Sequence, residues 1–88
     1  MVRTPSTVRV LLFGSAREAV GRGTLEWAVP SAGLPAEELV RQLATEYPKL
    51  EPALRTSRFV RNGRYLETDR TRLRPGDEFA VHPPYGGG

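Results

Sequence analysis

Eighty-eight residues make one small domain and not two, so any function has to come from a single compact unit or from its ends. The chain has no cysteine and one histidine, His82, which removes disulfides, thiolate metal sites and His-rich metal centres; a lone His at a strand end is a packing or solvent-facing residue first. The formal charge of +3 points toward nucleic acid, but the arginines alternate with acids (Arg17-Glu18, Arg41 near Glu37 and Glu38, Asp69-Arg70, Arg74 near Asp77), the pattern of a solvated surface. No apolar stretch reaches the roughly 20 residues of a membrane span, and the N-terminus carries no signal-peptide pattern. The expectation is a cytoplasmic protein with no metal, no nucleic-acid partner and no membrane contact.

Val8-Arg9-Val10-Leu11-Leu12-Phe13 is rich in strand formers and apolar on both faces toward its end, which predicts a central strand stopped by Gly14. Ser15 stands where it would cap a short helix through Ala16-Arg17-Glu18-Ala19-Val20, ended by Gly21. Leu25, Trp27 and Val29 then alternate with Glu26 and Ala28, a strand with one buried face that pairs antiparallel with the first. Pro30-Ser31-Ala32-Gly33 breaks it. Pro35, with Glu37 and Glu38 behind it, has the composition of a helix first turn. Ala36, Leu39, Val40, Leu43, Ala44 and Tyr47 form an apolar stripe at helical spacing, opposite Glu37, Arg41, Gln42 and Thr45, and the stripe is expected to cover a sheet. Pro48 ends that helix, and Pro52 is expected to keep the next stretch irregular.

From Arg58 the pattern returns to strands: Phe59 and Val60, the hairpin signal Asn62-Gly63, then Tyr65 and Leu66. Arg74-Pro75-Gly76-Asp77 suits a type II turn that launches a last strand, Glu78-Phe79-Ala80-Val81, halted by Pro83-Pro84. The order is strand, short helix, strand, long helix, several strands, with no internal repeat. Residues 1–82 read as the folded domain and 83–88 as an extended tail.

That tail is Pro83-Pro84-Tyr85-Gly86-Gly87-Gly88. Composition alone leaves two readings open, a frayed terminus or a functional thread. The glycines follow a core strand through a stiff diproline, and from Pro83 the reach is at most about 20 Å. Three residues without side chains are thin enough to enter a narrow channel in another protein and carry a carboxylate to a buried reaction centre. A carboxylate is inert toward nucleophiles; its acyl-adenylate is an electrophile for sulfur or amines. The rest of the chain offers no paired carboxylates in a cleft, no Ser/His/Asp set and, at Gly21-Arg22-Gly23, too little glycine for a phosphate loop, so the chain is expected to catalyse nothing by itself.

The segments VRVLLFGSAREAVG at 8–21, the helix around AEELVRQL, RNGRYLE, and LRPGDEFAVHPPYGGG to the end together resemble the MoaD/ThiS family of ubiquitin-like sulfur carriers. Within it they are most similar to the MoaD type, which serves as the small subunit of molybdopterin synthase. The resemblance implies an α+β, β-grasp fold: a mixed sheet crossed by one main helix, with a flexible C-terminal Gly-Gly tail. It implies that Gly88 is adenylated and then converted to a thiocarboxylate that donates sulfur to the cyclic pterin precursor in molybdenum cofactor biosynthesis. Gly87 is the other obligatory glycine, and Pro83, Pro84, Tyr85 and Gly86 form the segment that inserts into a MoaE-like large subunit. Phe13, Arg17 and Phe79 are candidates for the docking face, with core packing ahead of docking for both phenylalanines. The implied partners are that large subunit, a MoeB-like, E1-like adenylating enzyme that uses ATP, and a sulfur donor; the chain itself binds no cofactor. His82 stands where the family commonly has an apolar or aromatic residue. Other outcomes of the same chemistry are a different sulfur acceptor (thiamine thiazole, cysteine or a tRNA base) and attachment to lysines as a protein modifier.

Overall fold

The computed structural model describes residues 6–84. In chain order it contains β1 (Thr7–Leu12), α1 (Gly14–Val20), β2 (Thr24–Ala28), β3 (Leu34–Pro35), α2 (Ala36–Glu46), a 3-10 turn (Pro48–Leu50), α3 (Glu51–Thr56), β4 (Arg58–Arg61), β5 (Arg64–Tyr65), β6 (Arg72–Leu73) and β7 (Glu78–His82). The main sheet has the order β2-β1-β7-β4-β5, and β3 pairs with β6 apart from it. The first and last strands, β1 and β7, lie side by side and parallel, while β2, β4 and β5 join antiparallel.

Alternation decides which side of the sheet is covered. Val8, Val10 and Leu12 on β1, with Phe79 and Val81 on β7, all point to one face and are buried. Ala36, Leu39 and Leu43 come round to one side of α2 at spacings of three and four residues and meet that face, with Leu50, Ala53, Leu54 and Leu73 closing the core. No polar or charged residue is buried among the described residues. Each fully buried leucine or valine contributes about 1.5–3 kcal/mol of burial free energy, so this one cluster supplies most of the folding drive of a small domain.

Four backbone positions in the turns and at the β3–β6 junction need glycine or asparagine. Asn62 (φ 49°) and Gly63 (φ 86°) both adopt the left-handed region that a two-residue type I′ turn between β4 and β5 demands. Gly76 (φ 92°) does the same in the turn closed by the Asp77 N–H on the Arg74 carbonyl at 3.0 Å, the expected type II geometry. Gly33 (φ 88°) is buried where β3 meets β6, and a side-chain carbon there would run into the Leu73 carbonyl oxygen.

The structure departs from the sequence reading at several points. Phe13 is outside β1, and α1 starts at Gly14 with no side-chain cap, so Ser15 is not the cap. The helix starts before the position a Ser15 cap requires, so Ser15 lies inside its first turn, and the carbonyl of extended Phe13 accepts from the N–H groups of Ala16 (3.0 Å) and Arg17 (3.3 Å). The stretch around Pro52 is helical: Pro52 lies at the start of α3, where its missing N–H has no intrahelical acceptor to lose, and Ala53 and Leu54 are buried behind it. Pro35 is the residue before α2, whose first free N–H groups are taken by the carbonyls of Thr71 (Ala36 N–H, 2.8 Å) and Thr68 (Glu37 N–H, 3.2 Å). Leu66 falls just past β5, and β3 with β6, two residues each, are too short to leave an alternating pattern.

Candidate functional site

Because β1 and β7 are parallel, their C-terminal ends arrive at the same edge of the sheet. The last register pair is Leu12↔Val81, and one residue further on Phe13 and His82 face each other. Their rings stack with centroids 4.6 Å apart and planes 14° from parallel. Pro83 follows at once and is half-buried; the backbone of Gly14 passes close enough that a Cβ there would lie 3.9 Å from the Pro83 ring. The start of α1 thus lies beside the root of the diproline where it leaves β7. Tyr85, Gly86, Gly87 and Gly88 lie outside the described residues.

The face of the sheet turned away from α2 is zoned. Nearest the tail, a row crosses four strands' worth of positions: Phe13 stacked on His82, His82 in register with Arg58, and the Arg58 guanidinium 5.5 Å from the centre of the Tyr65 ring. Behind it lies an apolar row of Leu11, Ala80 and Val60, which are register partners. Farthest away, Arg9 pairs with Glu26 (3.2 Å), and the Thr7 hydroxyl also donates to Glu26 (2.9 Å). Those two bonds, the threonine's first, hold the Glu26 carboxyl below the usual carboxylate range. Phe13 (44% exposed) and Tyr65 (70%) are the exposed large hydrophobic residues of the described chain; Phe13 stands beside the tail, and Tyr65, the register partner of Val60, joins that row diagonally through Arg58.

One polar network ties the β4–β5 hairpin to the start of β7. Asp77 accepts from Arg61 Nε (2.9 Å), Asn62 Nδ2 (3.1 Å) and the Arg74 N–H (2.8 Å), while the Glu78 N–H donates to Asn62 Oδ1 (2.8 Å). Burial pushes the Asp77 carboxyl up, but the Arg74 N–H, Asn62 amide and Arg61 guanidinium together outweigh it and hold the group below its ordinary value. The network fixes β4, and with it Arg58, against β7.

The residues expected at the site divide cleanly. Phe13, Pro83 and Pro84 sit together at the tail root, with Phe13 and Pro84 exposed. Arg17 is exposed one turn further along α1, its guanidinium beside Gly23. Phe79 is completely buried and stacks on Phe59 (5.3 Å, 12°), so it serves the core and presents nothing to a partner. The reason is parity: Phe79 is in register with Val10, on the helix-covered side. Sequence reasoning passed over Leu11, Arg58, Val60 and Tyr65. Their shared face becomes visible only when the register of β4 on β7 is known, although the alternation within each strand was legible.

Shallow cavities of about 560 and 570 Å³ flank Tyr65 and Leu66. Among the described residues no cluster of three or more His, Cys, Asp or Glu could hold a metal ion, and no helix is long and apolar enough to cross a membrane. What the arrangement supplies is a rigid, largely apolar platform at the root of a glycine tail.

Comparison with known proteins agrees with that geometry. The profile of the ThiS family matches residues 10–88. The molybdopterin synthase sulfur carrier subunit of Chlamydomonas reinhardtii is 32% identical over 82 residues, covering 92% of this chain and 98% of that protein. Small archaeal modifier protein 1 from Methanosarcina acetivorans superposes with a TM-score of 0.77 at 26% identity, over 96% of this chain and 98% of that one. A chain in the complex of subunits 1 and 2 of molybdopterin-converting factor from Helicobacter pylori shares the fold, with a TM-score of 0.65 at 23% identity over 93% and 99% of the two chains. The mixed sheet crossed by α2 is the β-grasp fold that the resemblance implied.

Proposed function

The chain belongs to the ThiS family, and from that premise we propose that it is the sulfur-carrier subunit of a molybdopterin synthase. The observation that carries the reading is that the family match runs through the glycine tail to Gly88, directly beyond the platform at the end of β7. The name borne by the Chlamydomonas relative over nearly its whole length supports the choice of acceptor.

In this reading the Gly88 carboxylate attacks the α-phosphorus of ATP on a MoeB-like adenylating enzyme, and pyrophosphate leaves. The outer sulfur of a persulfide on a donor protein then attacks the acyl carbon of the adenylate and AMP leaves, giving an acyl disulfide; a second thiol attacks the donor-side sulfur, forms a disulfide with it and releases the thiocarboxylate. In a MoaE-like large subunit the thiocarboxylate sulfur displaces an oxygen substituent from a carbon of the cyclic pterin precursor, and that oxygen leaves with the C–O electron pair. Water then attacks the acyl carbon of the resulting thioester, so that the sulfur stays on the precursor as a thiolate and the Gly88 carboxylate is restored. Gly86 and Gly87 keep the thread narrow, since a side chain beside the acyl carbon would hinder each attack. The folded residues position the tail: Phe13 and Gly14 lie beside the Pro83 root, and the zoned sheet face meets the partner. We place this chemistry in the cytoplasm, with ATP bound by the activating enzyme.

Intact mass decides the reading. After incubation with the activating enzyme, ATP and a sulfur donor, the chain should gain the mass difference of one oxygen exchanged for sulfur, localised to Gly88 by fragmentation. A mass unchanged under conditions that load a known carrier would overturn it.

A further inference from the structure

We propose that the row Phe13–His82–Arg58–Tyr65 docks on an apolar patch of the large subunit that contains a carboxylate, and that Arg58 is the residue that pairs with it. The inference deepens the proposed function and rests on it, since it specifies the chemistry of the surface that receives the tail.

Of the main-sheet arginines Arg9, Arg58, Arg61 and Arg64, the last two are register partners on the covered-side parity, which leaves Arg9 and Arg58 on the open face. Arg9 is held by Glu26 and Arg61 by Asp77, each through an intramolecular ion pair. Arg58 makes no ion pair among the described residues and is stacked instead over the Tyr65 ring. Two carboxylates line the cavity beside it, Glu67 and Asp69, but Glu67 is engaged by Arg70 at 3.6 Å and neither bonds to Arg58. A guanidinium resting on an aromatic ring keeps the edge of its planar fork available for a bidentate carboxylate.

Its surroundings supply the rest of an interface. The exposed rings of Phe13 and Tyr65 stand at the two ends of the row, and Leu11, Ala80 and Val60 lie directly behind. Aromatic anchors around one arginine, with apolar contact beside them, are the composition of an interface centre. A partner that covered this row without an anion would strip water from Arg58 and return nothing for it, a penalty that selects against neutral or basic surfaces. His82 leads straight into Pro83, so a partner seated on the row also lies at the entry of the tail.

The test measures binding of the full chain to the molybdopterin synthase large subunit from the same cells, by calorimetry in about 0.1 M and about 1 M salt, where the screening length falls from about 10 to about 3 Å. Arg58→Glu should weaken binding roughly tenfold or more at the lower salt, and the gap should narrow at the higher one. Arg58→Lys, which keeps the charge and loses the fork, should fall between the two. Arg58 is exposed, so both variants should retain the wild-type circular dichroism spectrum. If Arg58→Glu binds within about twofold of wild type at low salt, or its deficit persists undiminished at high salt, the carboxylate is not there and the proposal fails while the sulfur-carrier reading stands. If the wild-type chain neither binds this subunit nor acquires sulfur, the functional reading fails first and takes the proposal with it.

Discussion

The two faces of the five-stranded sheet are built from the same strands and share almost nothing else. On the covered face Val8, Val10, Leu12, Phe79 and Val81 are apolar and buried under α2. On the open face, their immediate neighbours Arg9, Leu11, Phe13, Ala80 and His82 grade from an ion-paired zone to an aromatic one beside the tail. If the open face docks as proposed, stability and docking alternate residue by residue, and two adjacent side chains such as Val81 and His82 answer to unrelated demands. Among the described residues no titratable group is buried, and the carboxyls with shifted pKa values, Glu26, Glu38 and Asp77, all lie at the surface or at the hairpin seam.

The hardest blow to that division is a cavity in the covered face. Phe79→Ala should cost about 3–5 kcal/mol, a large part of the 5–15 kcal/mol, roughly, that holds such a domain folded. Urea denaturation measures it; a loss no larger than that of an open-face truncation would erase the distinction between the faces. Gly33→Ala should cost on the order of 1–3 kcal/mol, because the left-handed backbone and the nearby Leu73 carbonyl leave no place for a methyl group. A normal melting curve for that variant would mean that the β3–β6 junction is not built as described.

Asp77 tests the polar seam between the faces. Its carboxyl pKa is lower in the folded protein than in the unfolded chain, so its stabilising effect is fully present above the unfolded value and is lost as pH falls through the folded one. Asp77→Ala should cost about 1–3 kcal/mol at neutral pH, and the gap to wild type should close in acid. Denaturant titrations at the two pH values check both parts; a gap that widened on acidification would reverse the assigned sign.

The covered face was the more legible of the two in the sequence, for a physical reason. Burial imposes apolar residues at a fixed period, so the stripe from Ala36 to Tyr47 and the alternation at Leu25, Trp27 and Val29 announced themselves. The turns at Asn62-Gly63 and Pro75-Gly76 were equally plain, because few residues tolerate positive φ. The proposed site is readable in the sequence where it is contiguous, from Pro83 onward. The row from Phe13 to Tyr65 was not, since it is assembled from β7, β4, β5 and the residue after β1, and only the register between strands brings those positions together. Phe79 stays a docking candidate in the sequence for the same reason, although core packing is its first role there: one residue's difference in parity separates it from Ala80.

The smallest expected change in stability is the sharpest check on the comparison. Tyr65 is 70% exposed at the rim of the sheet, and its described interactions are the Arg58 stack and the β5 ladder. Tyr65→Ser leaves the ladder in place and removes a solvent-facing ring, so thermal unfolding should shift by no more than about 0.5 kcal/mol. Yet the same change removes an aromatic anchor and the surface on which Arg58 rests, and affinity for the large subunit should fall several-fold, by an amount comparable to one lost cation–π contact, about 0.5–1 kcal/mol. The two measurements pull apart only if the open face does no folding work. A Tyr65→Ser variant that melted early while binding normally would show that this edge holds the hairpin rather than the partner, and the division between the faces would have to be redrawn one strand further in.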